Sequence, residues 1–193
     1  TASHNPPRFN GIKLKLHHGG PADSGTCRAV ESLIGNSAVK SVSIEGAQRS
    51  KLIKIQNYRS HYFNALRRMV DFELIATSGL QFAHDALYGV GAGCFDELLE
   101  GTNCKTRTFN AEHDPNFGGL SPEPIERNYT KSHLELQKQP ADFCLVTDGD
   151  ADRIGGMDGR GNALTTHQII CLLLEHFLKN RRGRGRVVKA HTT

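Results

Sequence analysis

Apolar and polar residues alternate over residues 12–16, which predicts a short strand, and Gly19-Gly20-Pro21-Ala22 breaks it. Residues 27–34 read as a short helix stopped at Gly35. Residues 36–60 are weakly patterned and basic, with Lys51, Lys54 and Arg59, and read as a boundary between domains. Residues 62–70 return to helical apolar spacing. A compact alternation follows, with a strand over 80–86, a glycine-rich turn over 89–93, a helix over 94–100 and a strand over 105–109. Pro115, Pro122 and Pro124 exclude regular structure from most of residues 113–124. Residues 126–138 predict one helix, with Leu134 and Leu136 on or near its apolar side. Residues 141–146 form an apolar run that reads as a buried strand. Beyond it Ile154-Gly155-Gly156-Met157 leads to an Asp158-Gly159 turn. Thr165 or Thr166 caps a helix over about residues 167–179, with its stripe at Ile169, Ile170, Leu173, Leu174, Phe177 and Leu178. Residues 186–190 begin a last strand. The pattern is that of an α/β chain with helices layered on a largely parallel or mixed sheet.

Between the run ending at Val146 and the one starting at Ile154 lies Thr147-Asp148-Gly149-Asp150-Ala151-Asp152-Arg153. Three alternate carboxylates on a tight loop repel one another unless a cation joins them, and hard oxygen ligands select Mg²⁺ or Ca²⁺. An EF-hand also spaces its acids this way, but it needs Gly at loop position six and Glu at twelve. Counted from Asp148, Arg153 and Gly159 stand there, and the flanks read as strands. An arginine beside a metal loop points to an anion shared by cation and guanidinium, most simply a phosphoryl group. The competing reading of the same residues is a solvated acidic turn.

Composition narrows the picture modestly. At 193 residues the chain is one large domain or two small ones, and its net charge of +4 selects no polyanion. The five cysteines (Cys27, Cys94, Cys104, Cys144 and Cys171) are odd in number and lack any C-x-x-C spacing, which fits free thiols in a reducing cytoplasm. No apolar run approaches the ~20 residues needed to span a bilayer. The basic run over 181–186 reads as a solvated helix end, so neither nucleic acid nor membrane is an expected partner. The chain does not begin with Met and opens abruptly inside a motif, which suggests a fragment.

That opening motif is Thr1-Ala2-Ser3-His4-Asn5-Pro6-Pro7-Arg8-Phe9-Asn10-Gly11-Ile12-Lys13. Two prolines and an Asn-Gly pair make it a loop. Ser3 is flanked by small and polar residues, with His4 able to act on a proton and Lys13 able to neutralise an anion. On these residues alone an ordinary Ser/Asn/Pro loop is the favoured reading. The hydrolase G-x-S-x-G elbow is excluded, since Thr1 and Asn5 replace the glycines. The Gly89-Val90-Gly91-Ala92-Gly93 run invites a dinucleotide site but lacks the G-x-G-x-x-G spacing. A tight strand-to-helix turn is its simpler role.

Taken together, Thr1–Pro6 with Asn10–Lys13 resembles the phosphoserine loop of the α-D-phosphohexomutases, the superfamily of phosphoglucomutases and phosphomannomutases. Asp148–Arg153 is similar to that family's metal loop, and the segments 114–124 and 85–93 are similar to bacterial and archaeal members. The resemblance implies a fragment of a four-domain α/β protein with mixed-sheet α/β/α layers. Residues 1–50 would be the C-terminal part of domain 1, 51–160 domain 2, and 161–193 the start of domain 3. It implies a Mg²⁺-dependent interconversion of hexose 1-phosphate and hexose 6-phosphate, with hexose 1,6-bisphosphate as intermediate and activator. Ser3 would carry the phosphoryl group and share the metal with Asp148, Asp150 and Asp152. His4 and Lys13 would act with it in catalysis. Asn5, Arg153 and Lys189 would bind substrate or phosphate. Arg8-Phe9 stands where relatives commonly carry an acidic residue and Tyr, so a charge near the serine is reversed. The family's sugar-selecting loop does not occur, which leaves glucose, mannose and glucosamine phosphates open. The alternatives are a non-catalytic relative that binds Mg²⁺ or a phosphosugar, and a Mg²⁺-dependent phosphatase using an aspartate of the acidic loop.

Overall fold

The computed structural model describes residues 4–9 and 11–188. Contacts divide the chain into two compact units, one over Gly11–Val70 and one joining residues 4–9 to the chain from Asp71 onward.

In the first unit, helix α1 spans Ser24–Glu31, where Asp23 caps it by accepting the Thr26 N–H at 2.9 Å. The cap starts the helix earlier than apolar spacing predicts, and residues 32–34 are a turn rather than helix. Helix α2 spans Ile44–Arg49 under a Ser43 cap, inside the weakly patterned stretch read as a boundary between domains. It buries only Ala47, so it shows no apolar period to read. Helix α3, Arg59–Met69, agrees with its spacing and buries Phe63. The strand expected over 12–16 does not form. Only an isolated bridge joins Lys15 to Pro21, and Ile12 is 91% exposed, because no described strand lies alongside to complete a ladder.

The second unit holds a five-stranded sheet in the order β2-β1-β3-β4-β5. The strands are β1 Gln81–Asp85, β2 Lys105–Phe109, β3 Phe143–Thr147, β4 Ile154–Asp158 and β5 Ala163–Leu164. β1 pairs in parallel with β2 and β3, while β3–β4 and β4–β5 are antiparallel, so the sheet is mixed. Helix α4, Phe72–Thr77, precedes β1, and α5, Cys94–Leu98, links β1 to β2. Helix α6, Thr130–Lys138, links β2 to β3, and α7, Thr166–Glu175, follows β5 under a Thr165/Gln168 capping box. α7 runs on as a π-helical turn over His176–Asn180. No described helix is long and apolar enough to cross a membrane.

Strand alternation sends side chains to both faces, and each face has its own core. Ala83, Cys144, Val146 and Met157 pack with Leu87, Phe109, Tyr129 and Leu136. Phe82, Leu99 and Cys104 form the other cluster, where Phe82 stacks on Phe143 at 5.1 Å and meets Phe95 edge-on at 5.4 Å.

Two further elements depart from their sequence pattern. The helix read over 126–138 is a 3₁₀ turn at Glu126–Asn128 followed by α6, because the Asn128 side chain turns back to the Ser121 and Glu123 carbonyls, each at 2.8 Å. Leu136 is fully buried but Leu134 is 50% exposed, so only one of the pair belongs to the core. At the C-terminal end, residues 186–188 form no strand, and 189–190 lie outside the described residues.

Candidate functional site

β3 and β4 form a hairpin in which Thr147 opposes Ile154, and residues 148–153 are its loop. The loop is tied across its base. The Asp148 N–H donates to the Arg153 carbonyl at 3.3 Å, and the Arg153 N–H returns to Asp148 Oδ1 at 3.0 Å. Ala151 takes a left-handed φ of 60° while its N–H bonds the Asp148 carbonyl at 3.1 Å. This tight turn gathers one carboxylate oxygen each from Asp148, Asp150 and Asp152 to within 4.8 Å of one another. Asp148 is fully buried, Asp150 half-buried and Asp152 exposed. The donor set is all hard oxygen, without nitrogen or sulfur, which fits Mg²⁺ or Ca²⁺ and suits a softer metal poorly. Among the described residues it is the one group of three or more His, Cys, Asp and Glu side chains so disposed.

The glycine-rich turn after β1 lies directly against this loop. The Val90 N–H donates to the Gly149 carbonyl at 3.0 Å. A Cβ on Gly89 would stand 2.8 Å from the carbonyl oxygens of both Asp148 and Gly149, so no side chain fits there. Gly89 therefore serves a close approach of two backbones.

Asp85, at the end of β1, shapes that turn. Its Oδ1 accepts the Leu87 N–H at 3.0 Å and the Asn110 amide at 2.8 Å, and its Oδ2 accepts the Ser132 hydroxyl at 2.6 Å. Leu87 and Tyr88 are both left-handed there, with φ of 45° and 60°. Burial pushes the Asp85 carboxyl above its usual range, opposed by the Ser132, Leu87 and Asn110 hydrogen bonds.

A second support comes from the proline segment. Asn128 clamps Ser121 and Glu123 through its two amide hydrogen bonds. The Pro122 carbonyl between them accepts the Gly149 N–H at 3.2 Å, and the Ser121 hydroxyl donates to the His4 carbonyl at 3.2 Å. One braced segment thus holds the acidic loop on one side and the His4 carbonyl on the other.

Beneath the loop His84 is fully buried, with Nε2 3.0 Å from Thr147 Oγ1 and its ring edge-on to Phe95 at 4.9 Å. Burial drives its pKa down to about 4, against a smaller opposing pull from Asp96, so it is neutral at pH 7.

The acidic triad, Arg153, His4 and Asn5 all belong to the second unit, and Lys13 to the first. Ser3 and Lys189 lie outside the described residues. Arg153 Nε is 4.0 Å from Asp152 Oδ1, with both side chains about half exposed, a contact that adds little stability. Arg8 lays its guanidinium over the Phe9 ring at 4.9 Å, which gives the reversed charge a local partner. Sequence reading missed His84, Thr147, Ser121 and Asn128. His84, Thr147 and Ser121 act through contacts distant in sequence and Asn128 through carbonyls of its own segment, and none carries a motif of its own.

The chain is similar to known proteins over nearly its whole length. Residues 60–161 match the phosphoglucomutase/phosphomannomutase alpha/beta/alpha domain II family, and residues 1–40 match domain I. A phosphoglucomutase/phosphomannomutase of Thermococcus kodakarensis is 32% identical over 189 residues, covering 95% of this chain and 40% of the relative. A phosphopentomutase of the same organism is 28% identical, covering 100% of this chain and 41% of the relative. The crystal structure of a Thermus thermophilus protein assigned as a phosphomannomutase superposes with a TM-score of 0.78 at 30% identity, covering 95% of this chain and 40% of that one. The chain thus spans about two fifths of the length of these relatives. With two of the family's domains matched in order, and a mixed α/β sheet that carries an acidic hairpin loop, the chain belongs to the phosphoglucomutase/phosphomannomutase family.

Proposed function

We propose that the protein is a Mg²⁺-dependent phosphohexomutase that interconverts hexose 1-phosphate and hexose 6-phosphate, with glucose phosphate as its first candidate substrate and mannose phosphate as its second. The observation that carries this reading is the convergence of Asp148, Asp150 and Asp152 on a loop held by the same braced segment that holds His4.

In this reading Ser3 carries a phosphoryl group. A sugar hydroxyl attacks its phosphorus, the bond from phosphorus to Ser3 Oγ breaks, and a proton passes from the sugar hydroxyl to Ser3 Oγ by way of a base or water. The bisphosphate so formed turns over and returns its other phosphoryl group to Ser3. Asp148, Asp150 and Asp152 would hold Mg²⁺ together with an oxygen on Ser3. When bound, the ion would offset negative charge on the transferring group. Arg153 directs a guanidinium to phosphoryl oxygens, and His4 and Asn5 shape the serine loop. Lys13 balances charge or assists the proton at the reacting hydroxyl, and Lys189 contributes a positive charge for the phosphosugar. Hexose 1,6-bisphosphate primes Ser3. A cytoplasmic location belongs to this proposal and is motivated by the unpaired number and spacing of the cysteines.

The test is a mutase assay on the full-length protein with Mg²⁺ and trace glucose 1,6-bisphosphate. Glucose, mannose, glucosamine and pentose 1-phosphates are offered separately, beside Ser3→Ala. Turnover abolished by Ser3→Ala supports the reading and ranks the sugars. Full turnover by Ser3→Ala overturns it, and a phospho-aspartate in the acidic loop would point to phosphatase chemistry instead. Binding of Mg²⁺ without turnover of any sugar would favour a non-catalytic relative.

A further inference from the structure

We propose that His84 and Thr147 form a buried brace that sets the cation affinity of the acidic loop, which makes both of them positioning residues. The inference rests on the proposed cation at Asp148, Asp150 and Asp152.

Thr147 is the last residue of β3 and the one immediately before Asp148. Its hydroxyl is the polar partner of His84 Nε2 at 3.0 Å, and His84 projects from the neighbouring parallel strand β1. The bond therefore links two strands at the point where β3 gives way to the loop. The third side is closed by the glycine turn. A Cβ built on Gly91 would stand 2.9 Å from Thr147 Oγ1, 3.4 Å from the Ala151 Cβ and 3.5 Å from His84 Cε1. Gly91 thus packs over the pair and against the left-handed residue of the loop at once.

A purely structural histidine has little reason to be polar here. His84 is fully buried, and its Nδ1 has no hydrogen-bond partner among the described residues. An apolar ring would avoid the cost of that orphaned atom. What the imidazole adds is one directed bond to Thr147. That bond fixes the rotamer and backbone from which the first of three mutually repelling carboxylates is presented. Partners of this kind, one step behind the ligands, tune metal affinity without touching the metal.

The experiment titrates Mn²⁺ into the full-length protein, without substrate, and reads bound ion by electron paramagnetic resonance. Wild type is compared with His84→Phe, His84→Gln, Thr147→Val, Thr147→Ser and Asp150→Asn, with circular dichroism as the check on folding. The brace predicts that His84→Phe and Thr147→Val weaken Mn²⁺ roughly tenfold. His84→Gln keeps a polar atom within reach of the hydroxyl and Thr147→Ser keeps the hydroxyl, so both should stay within about threefold of wild type. If His84→Phe fails to fold, Thr147→Val decides, because it removes only the hydroxyl at nearly constant volume. Wild-type affinity in folded Thr147→Val overturns the brace and leaves the cation reading standing, provided Asp150→Asn has lost the ion. No binding by wild type, or unchanged binding by Asp150→Asn, overturns the cation reading and the brace with it.

Discussion

Replacing Asp85 tests how much the buried network at the end of β1 contributes to stability. The carboxylate holds three donors, and removing it does not affect them equally. Ser132 retains the Tyr129 carbonyl at 3.1 Å, so its hydroxyl stays satisfied. The Leu87 N–H and the Asn110 amide instead lose the acceptor that Asp85 provides. Two buried donors left without an acceptor at about 1–3 kcal/mol each put Asp85→Ala at roughly 2–6 kcal/mol, before any cavity term. That is a large share of the ~5–15 kcal/mol that stabilises an ordinary domain. Asp85→Asn behaves differently. Its amide oxygen accepts from Leu87 and Asn110, while its amide N–H donates to the Ser132 hydroxyl, which turns to the Tyr129 carbonyl. Leu87, Asn110 and Ser132 all keep partners and only the second N–H of the new amide is left over, so this variant should cost about 1–3 kcal/mol, less than Asp85→Ala. The sign of the pH effect follows from the raised carboxyl. The native state holds the Asp85 proton more tightly than the unfolded chain, so stability falls as pH climbs from the usual carboxylate range to the raised value. Asp85→Asn removes that slope. Urea unfolding of the three proteins at several pH values measures both effects. An Asn variant as damaged as the Ala variant, or an Ala variant near wild type, refutes the reasoning.

Two further predictions concern buried groups. The His84 imidazole should remain neutral well below its usual range and titrate near 4 by NMR, and because that pKa is depressed, its contribution to stability is lost as pH falls from 6.5 toward 4. A titration near 6.5 would mean that His84 is not enclosed. Leu136→Ala should cost about 2–5 kcal/mol in urea unfolding, whereas Leu134→Ala on the exposed side of α6 should cost under about 0.5 kcal/mol; equal costs would contradict the packing.

Legibility in the sequence followed the range of the interaction. The acidic loop was readable because its ligands are neighbours and the flanking apolar runs became β3 and β4. Strand β2 was readable for the same reason, as a short run bounded by turn residues. α4 and α2 were not, since six-residue helices held by Asp71 and Ser43 caps are too short to show a period. The 12–16 alternation was misleading because a strand is defined by its partner as much as by its own pattern. The purpose of Gly89 became clear only when the Asp148 and Gly149 carbonyls stood against it. His84 reads as one more residue in an apolar strand until Thr147 is brought to its ring from another strand.

The most direct test of the account is the phosphorylation state of Ser3. The full-length protein would be incubated with glucose 1,6-bisphosphate and Mg²⁺, then digested and mapped by mass spectrometry, with Asp150→Asn and a chelator-treated sample alongside. The account predicts one phosphoryl group on Ser3 in the wild type, and slow or absent labelling in both controls. Phosphate on Asp148, Asp150 or Asp152 instead, or labelling of Ser3 that is indifferent to Asp150 and to chelator, would contradict it.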